Sequence, residues 1–203
     1  MNHLAHALLA SPDDELMLGS LMGDFVRGAI DPGLPASTRA GIALHRAVDV
    51  YTDAHPMVIE ARAWFEPPFR RYAGILLDIW FDHLLARDFS RWSKIPLGTF
   101  SELVGNLLER EQARLPDGMQ RFAQYMRANR LLAAYAERDV IARVLAGVSS
   151  RLKRANPVAD GLIELTRLQP KLDDLFEAFY PQLTAHARHF REGSGVQSSR
   201  DTP

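Results

Sequence analysis

The sequence predicts an all-α protein that forms a single compact multi-helix domain over residues 1–190. Apolar residues recur at helical spacing along almost all of the 203-residue chain, and no segment alternates as a half-buried strand does. No repeat or linker divides the chain. Its hydrophobic fraction of 47% with 24% charged residues is typical of globular proteins. We therefore expect one helical core.

Proline and glycine signals delimit the helices of the first half. Helices are expected at about 1–10, 12–26, 35–54, 58–65 and 72–89. Pro12 supplies an N1 signal for the second helix, and the glycines and prolines of 27–35 predict a loop. His55-Pro56 ends the third helix, because the residue before proline disfavours helical backbone.

Five further helices are expected in the second half, at about 100–112, 122–126, 131–145, 162–168 and 172–190. Residues 115–118 are predicted to form a turn, and Gly147 and Asn156-Pro157 are predicted to interrupt the helical segments. Residues 191–203 are rich in small and polar residues, which predicts a disordered tail.

His45 and Asp49 stand four apart in the third predicted helix and therefore share one stripe of its surface. An imidazole and a carboxylate on one stripe are donor types that a divalent cation accepts. Most such pairs are ordinary solvated surface, so this spacing alone leaves both interpretations open.

Asp78 and Asp82 repeat this spacing within the most apolar helix, with His83 beside them. Apolar residues cover most of the circumference of helix 72–89, so it should lie in the core. Buried carboxylates are costly unless a cation or a partner compensates them. The alternative is a narrow polar stripe that faces solvent.

More candidate donors precede these pairs. His3 and His6 stand three apart and could equally cap or pack, and Asp24 ends an apolar helix, where it could bind a metal or pair with Arg27. Helical bundles build metal sites from inward side chains on facing helices. With no cysteine in the chain, histidines and carboxylates favour Mn, Fe, Mg or Zn.

Charge is unevenly distributed, although the net charge is −1. Residues 121–154 carry eight basic and two acidic residues, so this segment has a charge of +6 and the remainder −7. Such a segment suits an acidic partner or a phosphate, or is simply a solvated face. Aromatic residues do not alternate with the basic ones, which argues against a nucleic-acid partner.

The sequence predicts neither a signal peptide nor a membrane-spanning segment. Its amino terminus lacks a basic region followed by an apolar one, and no apolar run approaches the ~20 residues that span a bilayer. We expect a cytoplasmic protein without a membrane partner; the oligomeric state is left open.

Four motifs resemble those of the bacterial acyl carrier protein phosphodiesterases. They are M-N-H-L-A-H at 1–6, L-M-G-D-F-V-R-G at 21–28, H-R-A-V-D-V-Y-T-D-A-H-P at 45–56 and D-I-W-F-D-H-L-L-A-R at 78–87. The likeness extends over about residues 1–190. It implies a helical bundle like that of the HD-type metal phosphohydrolases, of which this family is a divergent relative. The adjacent His-Asp pair of HD proteins is missing, because Arg46 follows His45.

The resemblance also implies a reaction: hydrolysis of holo-acyl carrier protein to apo-protein and 4′-phosphopantetheine, by water activated on a divalent metal. Mn²⁺ is favoured, with Mg²⁺ or Fe²⁺ as alternatives. The expected catalytic residues are Asp24, His45, Asp49, Asp78 and His83, and the expected metal ligands are His6, Asp24, His45, Asp49, Asp78 and Asp82. Arg27 and Arg46 are expected to hold the phosphate.

Holo-acyl carrier protein is thus the expected partner, and the basic segment its docking face. Arg127, Arg130 and Arg143 are the expected docking residues, because the family's substrate protein is acidic. Two other functions stay open. A metal-dependent phosphohydrolase of a small nucleotide would use the same site without a protein partner, and a non-catalytic helical module would bind an acidic protein equally well in EDTA.

Overall fold

Ten α-helices and no strand make up the part of the chain that the computed structural model describes, residues 1–193, which confirms the all-α class. The helices are α1 His3–Ala10, α2 Asp14–Met22, α3 Ala36–Ala54, α4 Pro56–Trp64, α5 Ala73–Arg87, α6 Leu97–Arg110, α7 Asp117–Ala128, α8 Leu131–Ala134, α9 Arg138–Arg151 and α10 Gly161–Gly193.

The second helix begins later and ends earlier than predicted. Asp13, not a residue before Pro12, caps α2: its Oδ1 accepts a hydrogen bond from the Leu16 amide at 2.8 Å. After Met22 the chain tightens into a 3₁₀ turn, Gly23–Phe25, where the sequence predicted continuing α-helix. This turn carries Asp24 toward α3.

Two boundaries between 115 and 151 were predicted wrongly. The helix expected over 131–145 is two helices, α8 and α9, separated by residues 135–137, and α9 continues through Gly147 to Arg151. Residues 117 and 118, expected in a turn, begin α7. At the break, the free carbonyl of Tyr135 lies 2.8 Å from Nδ1 of the buried His83, which satisfies it.

The last helix is continuous, which corrects the two helices predicted for its sequence. Pro170 and Pro181 lie inside α10 without ending it. Proline removes one backbone hydrogen bond, and the buried stripe formed by Leu168, Leu172 and Leu175 compensates through packing. The helix also enters the predicted tail by three residues, and residues 194–203 lie outside the described range. Among residues 1–193, no helix has the length and apolar character to cross a membrane.

Helix α5 lies in the core, as its composition predicts. Its side chains from Leu76 to Ala86 are buried with the exception of Asp78, and α1, α9 and α10 pack against it.

Helices α2 and α3 are held in very close contact. A Cβ atom on Gly19 would collide with the Thr38 carbonyl, and one on Gly41 with the Leu16 carbonyl, so the two helix backbones are in contact. This crossing brings the turn after α2 beside His45.

Candidate metal and active site

A cluster of metal-donor side chains forms where α1, α3 and the turn after α2 meet. We call it the donor cluster and define it as His6, Asp24, His45 and Asp49. Ligand atoms of His6, His45 and Asp49 all lie within 4.8 Å of one another. Asp49 Oδ1 is 3.2 Å from His6 Nε2, and its Oδ2 is 3.1 Å from His45 Nε2. The structure thus brings together one pair from α3 and one histidine from α1.

The orientation of His45 is fixed by the backbone of α2. Its buried Nδ1 lies 2.8 Å from the Ser20 carbonyl, to which it donates, and this leaves Nε2 facing the carboxylates. Gly23 makes room for the ring, because a Cβ atom there would overlap the imidazole. The sequence contains this glycine, but its role depends on how the helices cross.

Asp24 also faces Nε2 of His45. Its Oδ1 is 3.4 Å from His45 Nε2, and its Oδ2 is 3.9 Å from Nδ1 of His3. About half of the Asp24 side chain is exposed, so the donor cluster opens to solvent here. His3 lies at the edge of the cluster; the sequence left its role open because it could equally have packed away.

The protonation of the cluster follows from burial and charge. Burial disfavours the charged form of His45, but its contacts with Asp24 and Asp49 outweigh burial and raise its pKa to about 9. Burial lowers the pKa of His6 to about 4, so this ring is neutral near pH 7. Burial also opposes ionisation of Asp49, yet His45 and His6 hold its pKa below the usual range.

The donor set fits a divalent cation. Both ring nitrogens of His6 are buried; Nδ1 has no hydrogen-bond partner among the described residues, and Nε2 faces the Asp49 carboxylate at 3.2 Å. A buried polar atom without a partner costs free energy. His6 and His45 stack at 3.8 Å between centroids, and two carboxylates approach the pair. Imidazole and carboxylate are ligands that Mn, Fe, Mg and Zn all accept.

Comparison with known proteins identifies the family of this chain. The family model for acyl carrier protein phosphodiesterase matches residues 1–183. The chain belongs to the acyl carrier protein phosphodiesterase family. A relative with that name from Escherichia coli O139:H28 is 38% identical over 192 residues, covering 93% of this chain and 98% of the relative. Relatives of the same name from Yersinia pestis and Enterobacter sp. (strain 638) are 37% and 38% identical, with the same coverage. No solved structure matches.

Asp78, a ligand predicted from the phosphodiesterase resemblance, lies next to the donor cluster. Its Oδ1 accepts a hydrogen bond from the Met1 amino group at 2.8 Å, and that amino group is 3.8 Å from Asp49 Oδ1. Burial raises the pKa of Asp78, and the amino group opposes that effect. The Met1 amino group therefore lies between the Asp78 and Asp49 carboxylates and links them.

Asp82 occupies a different place from the one predicted. It is fully buried, and its two oxygens accept hydrogen bonds from the backbone amides of Leu4 at 2.7 Å and Ala5 at 3.1 Å. Burial raises its pKa to about 7, and the two amides oppose that rise. Because both oxygens already serve the amino end of α1, this position does not support a ligand role.

The structure does not bring His83 to the donor cluster either. His83 is five residues after Asp78, and five helical steps of about 100° turn its side-chain direction by about 140° from that of Asp78. Its ring packs on Trp80, with centroids 4.6 Å apart, and its Nδ1 pairs with the Tyr135 carbonyl. The position does not support the predicted role of acid for the leaving oxygen.

The two arginines predicted to hold phosphate differ in their surroundings. Arg46 Nη2 donates to the Val26 carbonyl at 2.9 Å, which ties the chain after Asp24 to α3. Arg27 is exposed and has no ion pair among the described residues. Its guanidinium is therefore free to meet a ligand close to Asp24.

Each of the three predicted docking arginines has an acidic partner. Arg127 pairs with Glu109 at 2.5 Å, Arg130 with Glu102 at 2.7 Å and Arg143 with Asp139 at 2.7 Å. Two of these acids lie on α6, outside the basic segment. The local excess of positive charge is consequently smaller than the sequence count of that segment indicated.

Proposed function

We propose that this chain hydrolyses the phosphodiester between 4′-phosphopantetheine and the serine of holo-acyl carrier protein, with a divalent metal as cofactor. Family membership supports the reaction, and the donor cluster supports the metal. The single observation that carries the proposal is the convergence of His6, His45 and Asp49 from two helices, with Asp24 also facing His45.

The proposed ligands are the four residues of the donor cluster, with Asp78 as an adjoining carboxylate. Mn²⁺ is the favoured ion, and Mg²⁺ or Fe²⁺ are alternatives. We further propose a divergent HD-type site, in which Asp49 stands one helical turn after His45 in place of the adjacent aspartate. The i,i+4 spacing supports this, because it puts both side chains on one face of α3.

When bound, a divalent cation would lower the pKa of a water molecule and stabilise the negative charge that develops on the phosphoryl oxygens. The protein's own residues prepare the site. Ser20 holds His45 in the tautomer with a free Nε2. The exposed side of Asp24 marks where a phosphodiester approaches, and Arg27, three residues further on, is placed to contact its non-bridging oxygens bidentately. Arg46 supports the site indirectly, because its hydrogen bond to the Val26 carbonyl holds the chain after Asp24 against α3.

Docking of the acidic carrier protein by Arg127, Arg130 and Arg143 stays part of the proposal. Each guanidinium is paired with an acid that is itself well exposed, so a competing carboxylate from a partner can reach it. A cytoplasmic location is likewise proposed, because the proposed substrate is a carrier protein of fatty-acid synthesis.

Mass spectrometry of holo-acyl carrier protein tests the reaction. The substrate is incubated with the protein in Mn²⁺ or in EDTA, and the expected result is metal-dependent loss of the 4′-phosphopantetheine mass. His45→Gln and Asp49→Asn should each lower kcat by at least about 100-fold, since each removes a donor from the metal. Asp173→Asn, remote from the cluster, is the control.

Two outcomes would contradict the proposal. Equal turnover in EDTA and in Mn²⁺ would show that the reaction does not require a metal. No turnover with any divalent metal, while the carrier protein still binds in EDTA, would instead indicate a docking module without catalysis.

A further inference from the structure

A groove runs from the donor cluster between α7 and α9. We call it the α7–α9 groove; its volume is about 660 Å³, and its lining includes His3, Arg121, Phe122, Val144, Val148 and Arg151. This volume lies within the ~300–1,000 Å³ typical of small-ligand sites. Arg143, one of the three proposed docking arginines, also lines it, but the proposed reaction assigns no ligand to the interior of the groove.

His3 connects the groove to the donor cluster. Its Nδ1 is 3.9 Å from Asp24 Oδ2, while its ring packs on Phe122 with centroids 4.7 Å apart. Phe122 in turn lies 5.9 Å from Phe25, the neighbour of Asp24. One end of the groove therefore opens at the exposed side of the cluster, where the phosphodiester is proposed to lie.

The lining combines apolar walls with two guanidinium groups that have no acidic partner. Arg121 and Arg151 make no ion pair within residues 1–193, unlike the three docking arginines; Arg151 Nε donates to the Gly147 carbonyl at 3.1 Å, which holds the side chain along α9. Arg151 lines the groove together with His3. The groove that opens at the donor cluster thus carries positive charge.

These features match one ligand chemistry: an extended aliphatic amide chain with an anionic phosphate at one end. We infer that the α7–α9 groove holds the 4′-phosphopantetheine arm of the substrate, with its phosphate at the His3 end and Arg151 beside it. This inference rests on the proposed function. The apolar walls of Phe122, Val144 and Val148 receive the dimethyl-bearing part of the arm.

Gly147 offers a way to fill the groove without disturbing the fold. It lines the groove in the middle of α9, and a Cβ atom on it would meet no other atom within 4 Å. Gly147→Phe therefore places a ring at the groove with little conflict. Gly74→Phe is the matched control, because this helical glycine lies on α5, outside the groove lining, and its Cβ would make only ordinary contact with Arg62 at 3.7 Å.

The test measures binding of free 4′-phosphopantetheine by calorimetry in Mn²⁺, together with steady-state kinetics on holo-acyl carrier protein. Gly147→Phe should weaken binding of the free arm at least tenfold and raise KM, with Mn²⁺ affinity unchanged. Gly74→Phe should bind the arm as the parent does. Arg151→Met should weaken arm binding several-fold and is a second variant that leaves the helix intact; Arg110→Met is its control.

The outcomes separate the groove from the reaction. An active protein whose arm affinity is unchanged by both Gly147→Phe and Arg151→Met would overturn the groove assignment and leave the reaction standing. If the parent protein binds the arm but shows no turnover, and the two variants lose arm binding, the proposed reaction would be overturned and the groove assignment supported. A raised KM with unchanged affinity for the free arm would overturn the assignment in favour of contact with the carrier protein itself.

Discussion

The carboxylate of Asp82 lies beneath the amino end of α1 and accepts the Leu4 amide at 2.7 Å. Together with its bond from the Ala5 amide, this satisfies two free backbone N–H groups at the amino end of the helix that carries His6. Asp82 is a positioning residue in this structure: it orients α1 on α5, and α1 in turn presents His6 to the donor cluster.

Asp82→Asn should lower the free energy of unfolding by about 1–3 kcal/mol, because it replaces a buried acceptor of two amides with a group that also carries N–H donors. Metal affinity should fall as α1 loosens. Urea unfolding and Mn²⁺ titration measure the two effects, with the exposed Asp160→Asn as control. Lost metal affinity at unchanged stability would restore the ligand role predicted from the sequence.

Gly23→Ala should reduce Mn²⁺ affinity by at least about tenfold, because the added Cβ overlaps the His45 ring and displaces Nε2 from both carboxylates. Gly74→Ala is the matched control: it adds the same methyl group where the nearest other side-chain atom, on Arg62, is 3.7 Å away. Equal Mn²⁺ affinity in the two variants would refute the steric role of Gly23.

Metal binding should release a proton from His45 at neutral pH. The pKa of this ring is about 9 in the metal-free protein, whereas a ligating Nε2 must be unprotonated. Mn²⁺ affinity should therefore rise by up to about tenfold per pH unit between pH 6.5 and 8.5. Calorimetry in two buffers of different ionisation enthalpy measures the released proton, and His45→Gln provides the control. A pH-independent affinity would contradict this proton release.

Stability of the metal-free protein should have a maximum near neutral pH. The pKa of His45 is raised above its unfolded value of 6.5, so its contribution is complete below pH 6.5 and is lost as pH rises through about 9. The pKa values of His6 and His3 are both lowered to about 4, so folding is destabilised progressively as pH falls from 6.5 toward 4; the pKa of Asp82, raised to about 7, opposes this loss only in part. Urea midpoints from pH 4 to 10 in EDTA measure this curve; a monotonic trend would contradict it.

Replacing Arg127, Arg130 and Arg143 together by glutamine should raise KM for holo-acyl carrier protein at low salt and leave kcat nearly unchanged. Glutamine is preferable to glutamate, since reversal would set like charges beside Glu109, Glu102 and Asp139. Arg110→Gln is the control. An unchanged KM at low ionic strength would remove the docking role.

Hydrophobic spacing predicted α3 and α5 closely, and the i,i+4 pair His45 and Asp49 does meet in space. The same spacing could not distinguish Asp78 from Asp82. Both lie on one stripe of α5, yet one faces an amino group near the cluster and the other caps α1. Periodicity defines which side chains share a face, whereas the element packed against that face determines what they do.

The wrongly placed helix ends have a similar origin. Pro170 and Gly147 are local signals for a break, yet α10 and α9 continue through them. The true break at 135–137 carries no proline or glycine; it depends on His83, 52 residues earlier, which supplies a donor for the Tyr135 carbonyl. Such a partner is visible only once the chain is folded.

The backbone contact between Gly19 and Gly41 separates two properties that often change together. Asp24 and His45 are carried by helices whose spacing is set by main-chain atoms, so that spacing does not depend on how well the distant core is filled. Trimming a remote side chain such as Leu107 or Phe100 should therefore lower the melting temperature and leave cation affinity almost constant. Thermal tolerance and ion selectivity can then be engineered, or drift in evolution, independently of each other.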